Sequence, residues 1–190
     1  TQPGIARNLL MYRYHTLAGA RQKARENGYQ GAMYAWESGA TGEEVTPRWV
    51  VGPDGDLIKI WCGEIEQHIT ADVVYGIKQY WEATGDDGFL RDYGAEIILS
   101  AGQFYASRLK WEAVDSAYHI RDVIGPDEYH EHVDDNAMTN LMSAWTLRYA
   151  GEVAEWLKTQ WPEKYDALMT ELGLTFANIK NWVEMAGQIA

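Results

Sequence analysis

The sequence predicts an all-α fold: helical hairpins packed as an α/α toroid or a bundle, with short β-hairpins and long loops at one rim. Three observations carry this. Apolar residues recur at three- and four-residue steps through most of the chain. Two short stretches, "WVVGPDGDLIKIW" and "KWEAVDSAYHI", instead look like strand pairs around a turn. No Pro/Ser-rich linker divides the 190 residues, which suffice for one domain with a sizeable core.

Residues 3 to 27 are expected as one helix. Pro3 suits the first helical position, Ile5, Leu9, Leu10, Tyr14 and Leu17 form a stripe, and Gly28 is a stop. Residues 29 to 48 have no clean period and hold three glycines, so they read as a long ordered loop. Such a loop inside a compact domain is usually functional. The first hairpin follows, and "KIWCGE" reads as its strand end. A helix from about 67 to 84 carries Ile69, Val73, Ile77 and Trp81, and Gly85 ends it. The next, 86 to 110, carries Phe89, Tyr93, Ile97, Phe104 and Leu109. After the second hairpin, a helix from about 136 to 158 is expected, with Met138, Leu141, Met142, Trp145 and Tyr149 on its stripe and Asp135 or Asn136 as its cap. Pro162 opens a short helix that Gly173 closes. Thr175 caps the last helix, whose stripe is Phe176, Ile179, Val183 and Ala186.

The formal net charge of −12 argues against nucleic acid and against anionic membrane surfaces, both of which attract basic patches. No apolar stretch approaches the ~20 residues of a membrane span. "TQPGIARNLL" lacks the basic and apolar regions of a signal peptide. Cys62 is the only cysteine, which rules out an internal disulfide and a four-thiolate zinc site. A reduced, cytoplasmic setting is expected. Nine Trp and twelve Tyr are many for this length; core packing accounts for most, and flat walls for sugar rings are the other use.

The stretch "GPDEYHEHVDDNAMTN" packs five acids and two histidines between a Gly-Pro turn and a helix. His130-x-His132 is a weak metal signal, because the i, i+4 histidine pair of helical zinc sites is absent. No EF-hand, phosphate-cradling glycine loop or nucleophile elbow can be assembled. Paired carboxylates fare better. Glu37 follows Trp36 in one long loop and Glu128 lies in another. Cleavage at a glycosidic bond needs a proton donor at the leaving oxygen, usually a carboxylic acid, beside an aromatic platform. Solvated acidic loops are the competing reading.

"GAMYAWESGATGEE", "EIEQHITADVVYGIKQYWEATGDDGFLRDYGAEIIL" and "IRDVIGPDEYHEHVDDNAMTNLMSAWTLR" resemble consecutive blocks of glycoside hydrolase family 65, from Thr1 to about Arg148. That resemblance implies the central part of an (α/α)6 toroid catalytic domain, with residues 1–190 as a single domain, and inverting phosphorolysis of an α-linked glucose disaccharide such as maltose, trehalose or kojibiose. It implies Glu128 as the general acid. Trp36 and Glu37 are placed at the sugar pocket, with His68 and Asp72 near the same cavity and Tyr129 and His130 beside the acid. His68 and His130 have structural readings too, as hydrogen-bonded or loop-tying residues. No metal or organic cofactor is expected, and inorganic phosphate is the co-substrate. The family's Trp-Asp-Thr-Glu block, upstream, and its Lys-Gln-Ala-Asp block, downstream, are not matched. Lys78-Gln79 sits mid-helix and does not take the latter's place. The chain is therefore expected to be about half of a toroid, inactive alone, with exposed helix faces that favour self-association. An inverting α-glucoside hydrolase and a non-catalytic sugar-binding module are the alternatives.

Overall fold

The computed structural model describes residues 2–190. Helices α1 (Pro3–His15) and α2 (Leu17–Glu26) lead into a long loop. Strands β1 (Trp49–Val51) and β2 (Leu57–Lys59) form the first antiparallel hairpin, pairing Val50 with Ile58. A one-turn helix, α3 (Cys62–Ile65), precedes α4 (Ile69–Thr84). The short α5 (Asp87–Phe89) passes through a π-helical turn, Leu90–Gly94, into α6 (Ala95–Arg108). Strands β3 (Lys110–Glu112) and β4 (Ala117–His119) form the second hairpin, and α7 (Ala137–Gln160), α8 (Pro162–Leu172) and α9 (Phe176–Met185) complete the chain.

The core is built around α6, which is apolar on nearly every side. Ile97, Ile98, Leu99, Ala101, Phe104 and Tyr105 are all fully buried, as a helix without a polar face must be. It packs most extensively on α7, which in turn carries α8 and α9, while α1 packs on α4. Among the described residues no helix is long and apolar enough to cross a membrane.

The expected single helix over 3 to 27 is two. The break falls at Thr16, whose hydroxyl donates to the Tyr12 carbonyl at 2.8 Å. The long loop returns against it: a Cβ on Gly42 would lie 2.6 Å from the Thr16 carbonyl oxygen, so only glycine allows that approach. The stripe is also narrower than its spacing suggests, because Leu10 and Leu17 are buried but Ile5 and Leu9 lie on the surface. Leu141, Phe176 and Val183 are exposed in the same way. The helix expected over 86 to 110 is interrupted by the π turn. Cys62 opens α3 and is not a strand end.

Caps are largely as expected. Gly85 and Gly173 adopt left-handed φ after α4 and α8, and Thr175 and Asn178 form a reciprocal capping box on α9. For α7 the cap is Asn136, whose Oδ1 accepts from the Thr139 N–H at 3.1 Å. Asp134 and Asp135 face other partners. Asn136→Ala should lower unfolding free energy by about 1 kcal/mol. Asp134→Ala, which removes an exposed 2.9 Å bond from the Asp122 N–H and a 3.8 Å pairing with Arg121, should cost less. Urea titration of both variants checks this.

Candidate active site

Two segments distant in sequence meet at one end of the helices. The first is the lead-in to α4, and the last turns of α6 shape it. The Tyr105 hydroxyl donates to the Gln67 carbonyl at 3.0 Å and accepts from the Ala71 N–H at 3.2 Å. Arg108 Nε donates to Gln67 Oε1 at 2.7 Å. Gln67 is thereby fixed, and with it Glu66 and His68 on either side.

The second segment runs from Ile120 to Asp135. Arg108 reaches it too, donating from its other side to the Arg121 carbonyl. The Ile124 N–H donates to the Ile65 carbonyl at 3.1 Å, which lays Ile124 beside Glu66. Val123 and Val133 exchange two backbone hydrogen bonds, 3.0 and 2.8 Å, and close the neck of a loop over 124–132. Below the neck, Asp135 accepts from the Ile120 N–H and from Arg121, and its carboxylate meets His119 Nδ1 at 2.8 Å. Burial opposes ionisation of Asp135, but these donors hold its pKa below the usual carboxylate range. A Cβ on Gly125 would lie 2.3 Å from the Asn136 side chain, so the loop is seated directly against the cap of α7.

This seating brings Glu128 to the first segment. A Glu128 carboxylate oxygen, the Cys62 sulfur and a Glu66 carboxylate oxygen all lie within 4.8 Å of one another. Glu66 is 2% exposed. Its Oε1 takes His68 Nε2 at 3.0 Å, while its Oε2 has no partner. His68 Nδ1 meets Asp72 Oδ2 at 2.7 Å, one helical turn on, and the Asp72 side chain reaches solvent. Burial disfavours a charged His68 ring, but the hydrogen bonds and charges of Asp72 and Glu66 outweigh it and push its pKa up to about 9. At neutral pH both ring N–H groups therefore donate. Burial first, then the Glu66 and Glu128 carboxylates, push the Cys62 thiol up to about 12. A neutral thiol is a poor nucleophile and a poor metal ligand.

Trp36 is half-buried and Glu37 exposed. Their N–H groups donate to the two oxygens of Glu44 at 2.9 and 3.1 Å. Glu44 is also bonded by Thr46 and Lys23, and these hold its pKa down against burial. The loop is fixed to the site end twice over. The Tyr34 N–H donates to Thr70 Oγ1 at 2.9 Å, and a Cβ on Gly63 of α3 would touch Glu44 Cγ at 3.1 Å. Tyr129 is 97% exposed at the tip of the acid loop. His130, also exposed, bonds Asp127 at 2.7 Å, while His132 bonds Asp122 at 2.6 Å and meets Trp61 edge-on. His130 and His132 thus face separate acids. Among the described residues the side chains grouped closely enough to share an ion are Cys62, Glu66 and Glu128. The structure joins Glu128 to His68 and Asp72 through Glu66, which the sequence reading had not singled out. Its only local signal is the spacing Glu66-x-His68-x-x-x-Asp72, which flanks a histidine with two acids.

A profile of the glycosyl hydrolase family 65 central catalytic domain matches residues 1–189. The chain belongs to glycosyl hydrolase family 65. Among its family 65 relatives, kojibiose phosphorylase of Halothermothrix orenii is 50% identical over 100% of this chain and 24% of its own length. The 1,2-alpha-glucosylglycerol phosphorylase of Bacillus selenitireducens is 42% identical over 97% of the chain and 24% of its own. Protein-glucosylgalactosylhydroxylysine glucosidase of Gallus gallus is 36% identical over 95% and 24%. The chain thus spans roughly a quarter of the length of these relatives. A solved structure, provisionally described as a kojibiose phosphorylase from human microbiome, superposes with a TM-score of 0.83 at 22% identity, covering 100% of this chain and 26% of that one. The shared fold is that of a partial α/α toroid.

His68 gives the site a pH signature. Its folded pKa lies above the ordinary 6.5, so its ion pairs contribute fully below pH 6.5 and are lost as pH rises through about 9. Stability measured by urea denaturation should fall across that window. The fall should be smaller in His68→Gln.

Proposed function

We propose that this chain is the middle segment of an (α/α)6 toroid and acts within a longer inverting phosphorylase. Its parent protein cleaves an α-glucosidic bond with phosphate and releases β-glucose 1-phosphate. The observation that carries the reading is Glu128, a carboxyl group on a loop whose neck is closed, set against the buried Glu66 and the His68–Asp72 pair. Glu128 donates its proton to the leaving oxygen. Phosphate attacks the anomeric carbon from the opposite face, where an inverting hydrolase would place an activated water. Trp36 and Glu37, held by Glu44, lie at the same end of the helices and suit a sugar platform and a hydroxyl acceptor. Tyr129 and His130, at the exposed loop tip, would meet the sugar only when the rest of the toroid encloses it. Support also comes from relatives named as phosphorylases of kojibiose, trehalose, nigerose and 1,2-alpha-glucosylglycerol. A reduced, cytoplasmic setting suits phosphorolysis, which draws on free phosphate.

The second reading is an inverting α-glucoside hydrolase, favoured by the relative from Gallus gallus named as a glucosidase. Incubating the parent protein with kojibiose, nigerose and trehalose separates the two. Phosphate-dependent release of glucose 1-phosphate supports the phosphorylase, and phosphate-independent release of glucose supports the hydrolase.

Glu128→Gln in the parent protein should reduce turnover by ~10²–10⁴-fold, the contribution of a positioned acid. Phosphorolysis of α-glucosyl fluoride, whose leaving group needs little protonation, should suffer much less; coupled assays of both substrates check it. Residues 1–190 alone should release no glucose 1-phosphate, because an acid without a positioned nucleophile forgoes several kcal/mol of the displacement barrier. Their exposed Ile5, Leu9, Leu141 and Phe176 should drive self-association, visible by light scattering.

A further inference from the structure

We propose that Glu66 is a positioning residue for Glu128: the two carboxyl groups share one proton, the free Oε2 of Glu66 accepting it from Glu128, with His68 and Asp72 keeping Glu66 the anionic member. The inference rests on the reading of Glu128 as the general acid.

The first ground is an unmet need at Glu66. It is a buried carboxylate, 2% exposed, with one oxygen satisfied by His68 and the other without a strong donor; beyond His68 only the Cys62 thiol, a weak donor, approaches the carboxylate. A buried acceptor left unmade is costly, and each such atom in a folded protein calls for an explanation. A purely structural acid would have both oxygens engaged, as Glu44 does with the Trp36, Glu37 and Thr46 N–H groups. The second ground is what lies beside the Glu66 carboxylate. The Glu128 carboxylate is inside a 4.8 Å cluster with Glu66 and the Cys62 thiol, and no hydrogen bond to the Glu128 carboxyl is seen among the described residues. Two carboxylates this close repel each other when both are charged, and a shared proton removes that repulsion.

The third ground decides which group holds it. The groups facing Glu66 are His68, and across the cluster Cys62 and Glu128. Those facing His68 are Glu66 and, from α4, Asp72. The only cation in this set is His68, and it bonds Glu66 and not Glu128. Glu66 is therefore the anion and Glu128 the protonated partner, which is the form an acid catalyst needs. In the reaction the Glu128 O–H proton passes to the leaving oxygen as the glycosidic C–O bond breaks and the bond to phosphate oxygen forms. Glu128 is left as a second anion beside Glu66, and their repulsion favours uptake of the next proton from solvent.

The test uses the parent protein, with kcat/KM for disaccharide phosphorolysis measured against pH. Glu66→Gln keeps size and an acceptor oxygen but removes the charge. It should move the alkaline limb of the profile to lower pH by roughly one unit. It should also slow the disaccharide by ~10-fold or more, short of the loss from Glu128→Gln, and leave α-glucosyl fluoride nearly unaffected. Asp72→Asn, at a solvent-reaching position, should move the limb the same way by less, and it decides the matter if Glu66→Gln does not fold. An unmoved alkaline limb in both variants overturns the inference, as does an equal loss on disaccharide and fluoride. If Glu128→Gln itself retains full disaccharide activity, the acid assignment falls first and the inference with it. If Glu128→Gln is impaired while the Glu66 and Asp72 variants keep the native profile, the inference alone falls.

Discussion

The rest of the site depends on the buried guanidinium of Arg108. It sits at the last turn of α6, 4% exposed, and donates in two directions, to the Gln67 side chain and to the Arg121 carbonyl. Gln67 belongs to the segment that carries Glu66 and His68, and Arg121 to the segment that carries Glu128. One planar, rigid fork thus sets the spacing of two strips of chain that share no regular secondary structure. Removing it would leave buried carbonyl and amide oxygens without donors, a penalty larger than the bonds' own net value. α6 can place the guanidinium accurately because its own surface is locked into the core over most of its length.

From that fixed spacing the electrostatics follow. The lead-in to α4 concentrates acid around one histidine, and Glu66 and Asp72 pay for the burial of its charge. Below the acid loop's neck the same arrangement surrounds His119, with Asp135 and, from the β3–β4 turn, Asp115 as partners. In both places a histidine between two carboxylates makes a rigid three-residue unit, and Glu128 hangs from one unit and faces the other.

Features determined within a few residues were legible in the sequence. The stop at Gly173, the cap at Thr175 and both hairpins depend on local turn chemistry, and they fall as expected. Features determined across the fold were not. The break at Thr16 is only faintly marked locally, by a threonine hydroxyl that bonds the Tyr12 carbonyl, and the Gly42 backbone that packs against it comes from a later loop. Asp135 had every local qualification for a cap and was drawn off by His119 and Arg121. Glu66 looked like one acid among many, since its meaning comes from Ile124 pairing beside it. The acid loop was visible as a dense run of charge, and its match to family blocks pointed to Glu128 where spacing alone favoured solvated acids.

The closed neck at Val123 and Val133 also determines where this chain can change length. Residues 129–131, beyond Glu128, are exposed at the tip and share none of the base's hydrogen bonds. Extra residues at the tip add only the slowly growing cost of a longer loop and leave the base in register. Between Val133 and Asn136 there is no such freedom. Val133 pairs with the neck, Asp135 pairs with His119, and Asn136 both caps α7 and abuts Gly125. One residue gained or lost there would turn α7 against α6 and carry Glu128 away from Glu66. The segment is thus tolerant of length change at the loop tip and held to a fixed count beneath it.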